Sequence, residues 1–256
     1  MVSRRLDSYM SHNLNSKSID RGRPVSKSTM VMFPSLIREF IDLIWRIDGK
    51  KASGYLGFLV DLSSLTVSYM SSNRMVYILL RLDAGLVNVR NYMRFSIDVN
   101  DLPYFLHSLS ENRVLVLDDK VVRVGDSEYR VIDIDEAYFK EPSIQYTEVF
   151  VADPRELSRR LRSIKSSLVT LYTSMDKGKL ILRWMDEYNE ERSSVIHRSY
   201  MRKGSGYYSS YSRDKMGKII FGSGYILLEY GDYVPLRITM YSGKMKIWLA
   251  PAYMDT

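Results

Sequence analysis

Residues 234–251 of this 256-residue chain read VPLRITMYSGKMKIWLAP. Apolar and polar residues alternate on either side of Ser242-Gly243, and alternation around a turn signal is typical of short antiparallel β-strands. The pattern predicts strands at Leu236–Tyr241 and Met245–Leu249.

The residues before this stretch predict more strands around one amphipathic helix. Asp153-Pro154 has the residue types of a helix start, an N-cap followed by proline in the first turn. Apolar residues then recur at helical spacing at Leu157, Leu161, Ile164 and Leu168. Further strands are predicted at Thr147–Ala152, Val169–Thr173, Lys179–Met185, Ser193–Tyr200 and Gly224–Tyr230. A last helix is predicted at Arg213–Ile220, and Met201–Ser212 has no clear pattern.

The first half of the chain has the same order of elements. Pro34 follows a β-rich segment and suits the first turn of a helix, and a second helix opens at Asn100. The apolar face of the first helix consists of Leu36, Ile37, Phe40, Ile41, Ile44 and Trp45. Strands are predicted at Thr29–Phe33, Gly54–Val60, Leu65–Met70, Met75–Asp83, Phe95–Val99, Val114–Leu117, Val121–Val124 and Tyr129–Ile134. Two halves in one order predict an α+β fold with an internal duplication.

Composition narrows the class of protein. Apolar residues make up 45% and charged residues 26%, and no apolar run is long enough to span a bilayer, so we expect a soluble protein. The absence of cysteine excludes disulfides and thiolate chemistry, and three scattered histidines give no metal-ligand spacing. The net charge of +7 favours an anionic partner. The start of the chain lacks the apolar region of a secretory signal, so we expect an intracellular protein. Abundant Arg, Ile and Tyr without Cys favours a thermophilic prokaryote, so we expect a cytoplasmic protein of a prokaryote, an archaeon above all, or of its virus, and a nuclear protein if the host is a eukaryote.

Three segments in order resemble the proliferating cell nuclear antigen (PCNA) family of DNA sliding clamps. Residues 65–78, LTVSYMSSNRMVYI, resemble an early strand, the turn after it and the following strand. Residues 131–146 resemble the family's interdomain connecting loop in the Asp133-Ile-Asp135 opening and in length. The last segment has a Pro-Leu strand followed by Trp248-Leu-Ala-Pro, as the family has at its C-terminus.

The resemblance implies two similar clamp-type domains, with antiparallel sheets on the outside and helices lining the inside of a ring. It places the domains at 25–130 and 147–256, with the connecting loop at 131–146. Residues 1–24 fall outside the likeness and are rich in Ser, Asn and Arg, so we interpret them as a flexible basic tail or a dispensable extension. A clamp of this kind encircles duplex DNA, needs no cofactor and performs no catalysis. It tethers the replicative polymerase, the clamp loader and other proteins with clamp-binding motifs for replication and repair.

Sliding requires weak, sequence-independent contacts with phosphates, so cations are expected on the inner helices. The helix from Pro154 has five cations against Glu156 alone, although a basic helical face is often merely solvated. The second helix offers only His107. The predicted DNA-binding residues are Arg38, Arg46, Lys50, Lys51, Arg155, Arg159, Arg160, Arg162, Lys165, Arg213, Lys215 and Lys218.

The resemblance also implies a hydrophobic pocket that takes a partner peptide with a few apolar and aromatic anchors. Its matched residues are Met70, Tyr77, Phe139, Pro142, Pro235, Trp248, Ala250 and Pro251. Core packing is the alternative for Met70, Tyr77 and Trp248. Tyr77 replaces a smaller aliphatic residue and Glu141 an apolar one, which predicts altered peptide preference.

Ring closure in such a family occurs by strand addition at open sheet edges. The matching segments are Ser127–Ile132 in the first domain and Arg192–Arg198 in the second. The predicted subunit-interface residues are Glu128, Arg130, Ile132, Arg192, Val195 and Arg198. These charges are compatible with a homotrimer or with a ring of different subunits.

Two other interpretations stay open at this point. One is a monomeric or heteromeric basic processivity factor, or a checkpoint-type clamp, that holds DNA by charge without closing on itself, which the net charge favours. The other is a nucleic-acid enzyme that binds Mg²⁺ through Asp133, Asp135 and Glu136. No phosphate-binding glycine loop or nucleophile motif accompanies those carboxylates, so an enzyme is not favoured.

Overall fold

The computed structural model describes residues 29–32, 35–49, 52–61, 64–83, 93–111, 114–117, 121–124, 126–130 and 132–252. The predicted tail at 1–24, and Lys50 and Lys51, lie outside these described residues. The chain divides into two compact units. The N-terminal unit contains the described residues of 29–72 and 79–141, and the C-terminal unit contains 73–78 and 142–252. No helix within the described residues is long and apolar enough to cross a membrane.

The N-terminal unit combines two helices with antiparallel strands. Its helices are α1 (Ser35–Asp48) and α2 (Leu102–Glu111). Its strands are β1 (Thr29–Met32), β2 (Tyr55–Val60), β3 (Ser64–Met70), β4 (Val76–Asp83, whose start groups with the C-terminal unit), β5 (Met93–Asp98), β6 (Val114–Leu117), β7 (Val121–Val124) and β8 (Ser127–Arg130). Four form a sheet in the order β1-β6-β7-β8, and the others follow the order β4-β3-β2-β5.

Apolar spacing positions the helices of this unit. Helix α1 buries Ile37, Phe40 and Ile44, which recur three and four residues apart and therefore share one helical face. Within the same unit, the rings of Phe58 and Phe95 stack with their centroids 4.8 Å apart. The core thus fixes α1 with its polar face away from the buried side chains.

The C-terminal unit repeats this combination. Its helices are α3 (Pro154–Ser163) and α4 (Arg213–Ile219). Its strands are β9 (Glu148–Ala152), β10 (Leu168–Ser174), β11 (Lys179–Met185), β12 (Glu191–Ile196), β13 (Ser199–Lys203), β14 (Tyr208–Ser212), β15 (Ile226–Tyr230), β16 (Leu236–Met240) and β17 (Met245–Leu249). They form a four-stranded sheet in the order β12-β11-β10-β14 and a run in the order β13-β9-β15-β16-β17.

These elements confirm the predicted α+β class and most predicted elements, including the last helix. The strand predicted at Ser193–Tyr200 is wrong, because a turn at His197 and Arg198 divides it into β12 and β13. The strand predicted at Tyr129–Ile134 lies two residues too far along, since β8 begins at Ser127 and directly follows a tight turn after β7.

One further expectation fails in the C-terminal unit, and one segment without a predicted element contains strands. The apolar stripe suggested that α3 continues to Leu168, but the helix ends at Ser163 and Ile164 is already extended. Leu168 instead starts β10. Residues 201–212, which have no clear pattern in sequence, contain the end of β13 and all of β14.

Candidate nucleic-acid interface

Helix α3 is defined at its start by the residues that the sequence indicated. The Asp153 side chain accepts a hydrogen bond from the Arg155 N–H at 2.8 Å, and Pro154 occupies the first turn. Leu157 and Leu161 are fully buried. The opposite side of the helix is therefore fixed toward solvent.

The solvent side of α3 is a cationic face made of Arg155, Arg159 and Arg162. All three are exposed and, among the described residues, none has an ion-pair partner. Their spacing of four and three residues places them on one side of the helix. Because no described carboxylate neutralises them, they are suited to bind an anionic surface.

The two acidic residues at the start of α3 interact with groups other than the side chains of Arg155, Arg159 and Arg162. Glu156 is buried, and its two carboxylate oxygens accept hydrogen bonds from the backbone N–H groups of His197 at 3.0 Å and Arg198 at 2.6 Å. Asp153 forms an ion pair with Arg198, with Oδ2 and Nη1 3.1 Å apart. Burial tends to raise the pKa of Asp153, but hydrogen bonds from the Arg155 N–H and the Arg198 guanidinium hold that pKa below its ordinary value.

The cations predicted on other helices have closer acidic neighbours. On α1, exposed Arg38 and Arg46 flank exposed Asp42 at four-residue spacing. On α4, Lys218 forms an ion pair with Asp214 at 3.0 Å. These helices therefore present less net positive charge than α3.

Three more predicted cations lie near the ends of α3 and α4. Lys165 lies just beyond α3 and is 3.8 Å from Glu187. Arg213 donates from Nε to the Ser166 carbonyl at 3.3 Å, and Lys215 is half-buried. The structure thus has Arg155, Arg159, Arg160 and Arg162 together on one helix, and the other predicted cations that it describes lie elsewhere.

The predicted edge segments lie at the outer positions of their sheets. β8 is the last strand of one four-stranded sheet and β12 the first strand of another. Two of the predicted interface charges are paired within their own units: Glu128 is 2.6 Å from Arg123, and Arg192 is 2.8 Å from Asp186. Arg130 lies in β8 opposite Val121, and Val195 lies in β12 opposite Ile181.

Ile132 departs from the predicted edge. Its N–H and C=O exchange hydrogen bonds with Ser96 of β5, at 3.4 and 3.0 Å. The backbone of Ile132 is therefore engaged inside the N-terminal unit, and the open part of β8 ends at Arg130.

The residues predicted for the partner-peptide pocket are mostly buried within their own units. In the C-terminal unit, Tyr77 and Trp248 are fully buried, with their ring centroids 5.3 Å apart. Trp248 Nε1 is buried and has no hydrogen-bond partner among the described residues. The other members of this unit, Pro142, Pro235, Ala250 and Pro251, are also buried.

The predicted connecting-loop segment is anchored in the N-terminal unit by a short 3-10 turn, Glu136–Phe139. The Tyr138 hydroxyl accepts from the Met70 N–H at 3.0 Å and donates to the Tyr55 carbonyl at 3.2 Å. Phe139 is buried against Gly57, where an added Cβ would lie 3.1 Å from the ring. Met70 itself is half-buried.

The carboxylates that suggested a metal site have other partners. Asp135 caps the 3-10 turn by accepting from the Ala137 N–H at 2.8 Å, and Asp133 lies 3.5 Å from Arg94. Among the described residues, no group of three or more His, Asp or Glu side chains is placed to hold a metal ion.

The fold has close counterparts among solved structures. PCNA from Thermococcus kodakaraensis matches with a TM-score of 0.66 and 19% identity, over 88% of this chain and 100% of that chain. PCNA from Entamoeba histolytica matches with a TM-score of 0.67 and 12% identity, over 88% of this chain and 99% of that chain. No protein-family model and no curated protein sequence matches. The resemblance inferred from the three sequence segments is thus confirmed at the level of fold, and this chain has the sliding-clamp fold of PCNA.

Proposed function

We propose that this chain is the subunit of a DNA sliding clamp, a ring of three copies that encloses duplex DNA and tethers replication and repair proteins. The observation that carries the proposal is the pairing of a PCNA fold with two open strand edges, one on β8 and one on β12. A clamp of this kind has no bond chemistry to perform, and its function follows from closure around DNA.

The backbone hydrogen bonding at the edges of the sheets supports assembly through β8 and β12. Three other edge strands are met by chain from the same unit: Ile132 bonds to β5, Gly178 to β13 and Ala252 to β14. No backbone hydrogen bond from a described residue meets the outer edge of β8 or β12, or that of β1, the remaining outer strand. Since proteins usually cover or blunt an open edge, the uncovered edges of β8 and β12 support pairing between copies.

The backbone pattern of β12 identifies which groups a neighbouring copy would meet. The Asp186 N–H bonds to the Glu190 carbonyl at 3.0 Å, which sets the alternation of the antiparallel pair with β11. By that alternation Glu191, Ser193 and Val195 direct their backbone N–H and C=O groups toward the open edge. These groups would extend the ladder into β8 of the next copy.

The cationic face of α3 supports contact with DNA. Arg155, Arg159 and Arg162 are exposed without acidic partners among the described residues, as phosphate contacts without base readout require. Docking of partner proteins through an apolar peptide belongs to the same proposal. Because Tyr77 and Trp248 are fully buried, a peptide that touches them requires local rearrangement.

A proline in β12 tests assembly without disturbing the fold of the subunit. Ser193→Pro removes an N–H that faces the open edge, and edge strands tolerate proline because no ladder bond to β11 is lost. Light scattering should give three times the 29.9 kDa chain mass for the unaltered protein and a single chain for the variant. Ser193→Ala, which keeps the N–H, is the matched control and should remain a trimer.

Each outcome is informative. An unaltered protein that stays monomeric at all concentrations would favour a charge-tethered factor or a missing partner subunit. A Ser193→Pro protein that remains trimeric would show that the subunits associate elsewhere.

A further inference from the structure

A cleft of about 460 Å³ lies at the start of α3 in the C-terminal unit. Arg155, Arg159 and Arg160 line it from the helix, and His197 and Arg198 line it from the turn between β12 and β13. Its volume lies within the range of sites that accept a molecular ligand. The cleft therefore joins the cationic helix to a turn that the sequence did not associate with DNA.

The acidic residues of the cleft build its wall and leave its helical cations unpaired. Glu156 uses both carboxylate oxygens to hold the backbone of the turn, and Asp153 caps α3 while pairing with Arg198. These contacts fix His197 and Arg198 beside the helix. The turn is thus a preorganised part of the cleft.

Unlike Arg198, the three arginines on the helix side of the cleft have no ion-pair partner among the described residues. Among the described residues, Arg155, Arg159 and Arg160 form no ion pair, and the buried Nε of Arg160 has no hydrogen-bond acceptor. Guanidinium groups that form no ion pair can bind an anion through charge-assisted hydrogen bonds. Convergence of arginines on one concavity indicates phosphate, whose oxygens match the guanidinium fork.

We propose that this cleft seats one backbone phosphodiester of the DNA, with Arg160 and Arg198 as its ligands and His197 beside them. The proposal rests on the proposed clamp function and deepens it, because it replaces diffuse attraction at this place with one fixed phosphate contact. It also moves Arg198 from the predicted subunit interface to the DNA-binding surface.

The salt dependence of DNA binding measures such a contact. Each phosphate neutralised adds about 0.9 to the slope of log affinity against log salt. A short fluorescent duplex would be titrated by anisotropy between about 50 and 200 mM salt, over which one contact makes the affinity fall about 3.5-fold further. Arg198→Ala and Arg160→Ala should each lose that additional fall.

Arg202→Ala is the matched control, because Arg202 is an exposed arginine of β13 that does not line the cleft. It removes the same charge and should change the slope little. Arg198→Ala also breaks the ion pair with Asp153, so urea unfolding should accompany it, while Arg160→Ala removes a side chain with no ion pair among the described residues. Equal slopes for Arg160→Ala, Arg198→Ala and Arg202→Ala would overturn the phosphate seat.

The two proposals fail differently. If the unaltered protein binds duplex with a steep salt slope that Arg162→Ala, on the cationic face but outside the cleft, reduces, and both cleft variants behave like Arg202→Ala, the seat is refuted and contact between α3 and DNA stands. If the unaltered protein shows no salt-dependent binding to duplex, the seat is refuted, while the clamp proposal is decided separately by the solution mass of the unaltered protein and the Ser193→Pro variant.

Discussion

Replacing Glu148 should destabilise the C-terminal unit through one buried hydrogen-bond cluster. Glu148 is fully buried in β9, and its Oε1 accepts from the backbone N–H groups of Ser205 at 2.7 Å and Tyr207 at 3.1 Å. Its Oε2 accepts from the Thr173 hydroxyl, which also bonds to the Tyr230 hydroxyl at 3.0 Å. One carboxylate therefore ties the segment between β13 and β14 to the core.

The magnitude follows from the donors that Glu148→Ala leaves without an acceptor. A buried donor without a partner costs about 1–3 kcal/mol. Two backbone N–H groups lose their acceptor, which for fully buried donors would total about 2–6 kcal/mol. Because Ser205 and Tyr207 are exposed residues that water reaches, we expect the lower end of this range, about 2–3 kcal/mol in the free energy of unfolding.

Glu148→Gln is the matched control. Its carbonyl oxygen can accept both backbone N–H groups, and its amide can donate to the Thr173 hydroxyl, so only the charge assistance is lost, about 1 kcal/mol. Urea unfolding gives both free energies. Hydrogen exchange at the amides of Ser205 and Tyr207 should accelerate in the alanine variant alone. Equal stability and equal exchange in the two variants would refute the anchoring role of Glu148.

Three further predictions concern local contacts, each checked by urea unfolding. Asp153→Ala should lower the free energy of unfolding by about 1 kcal/mol, because it removes the N-cap of α3. Since the pKa of the Asp153 carboxyl is lowered in the folded protein, its stabilising contribution is present at neutral pH. That contribution should be lost as the pH falls below the ordinary aspartate range. Gly57→Ala should lower the free energy of unfolding by about 1–3 kcal/mol, because the added methyl would lie 2.9 Å from the Ser68 hydroxyl oxygen and 3.1 Å from the Phe139 ring. Gly217→Ala is the matched control, because its methyl meets nothing within 4 Å and should not destabilise the protein. Tyr138→Phe should lower the free energy of unfolding by about 1–3 kcal/mol, because the hydroxyl accepts from the Met70 N–H and donates to the Tyr55 carbonyl and both hydrogen bonds are lost. Burial raises the pKa of Tyr138 to about 12, so the contribution of its hydroxyl is present below about pH 10 and should be lost as the pH rises through 12.

The elements that could be predicted from sequence are those in which burial follows a regular period. Helix α3 begins at its N-cap Asp153, and β17 has the bounds that alternation indicates. β14 escaped prediction because one of its two buried residues is Ser209, while Tyr208 is exposed. In that segment, whether a residue is apolar does not indicate whether it is buried.

The turn at His197 and Arg198 escaped prediction for another reason. No glycine, proline or asparagine marks it, and the group that holds it is the carboxylate of Glu156, about forty residues earlier in the chain. Rules based on residue type use only neighbouring residues in the chain. They therefore predict neither this turn nor the cleft that it helps to form. Glu156, noted in the sequence only as the single acidic residue of a cationic helix, positions two cleft residues.

The most direct test of closure around DNA is the order of addition to a linear duplex whose ends can be blocked by bulky protein. A ring threads over free ends, so blocking the ends after mixing should trap this protein on the DNA in high salt, and blocking them first should leave the DNA bare. High salt removes contacts that depend on charge alone and leaves topological linkage intact. Retention that is the same for both orders, or absent in both, would contradict the clamp.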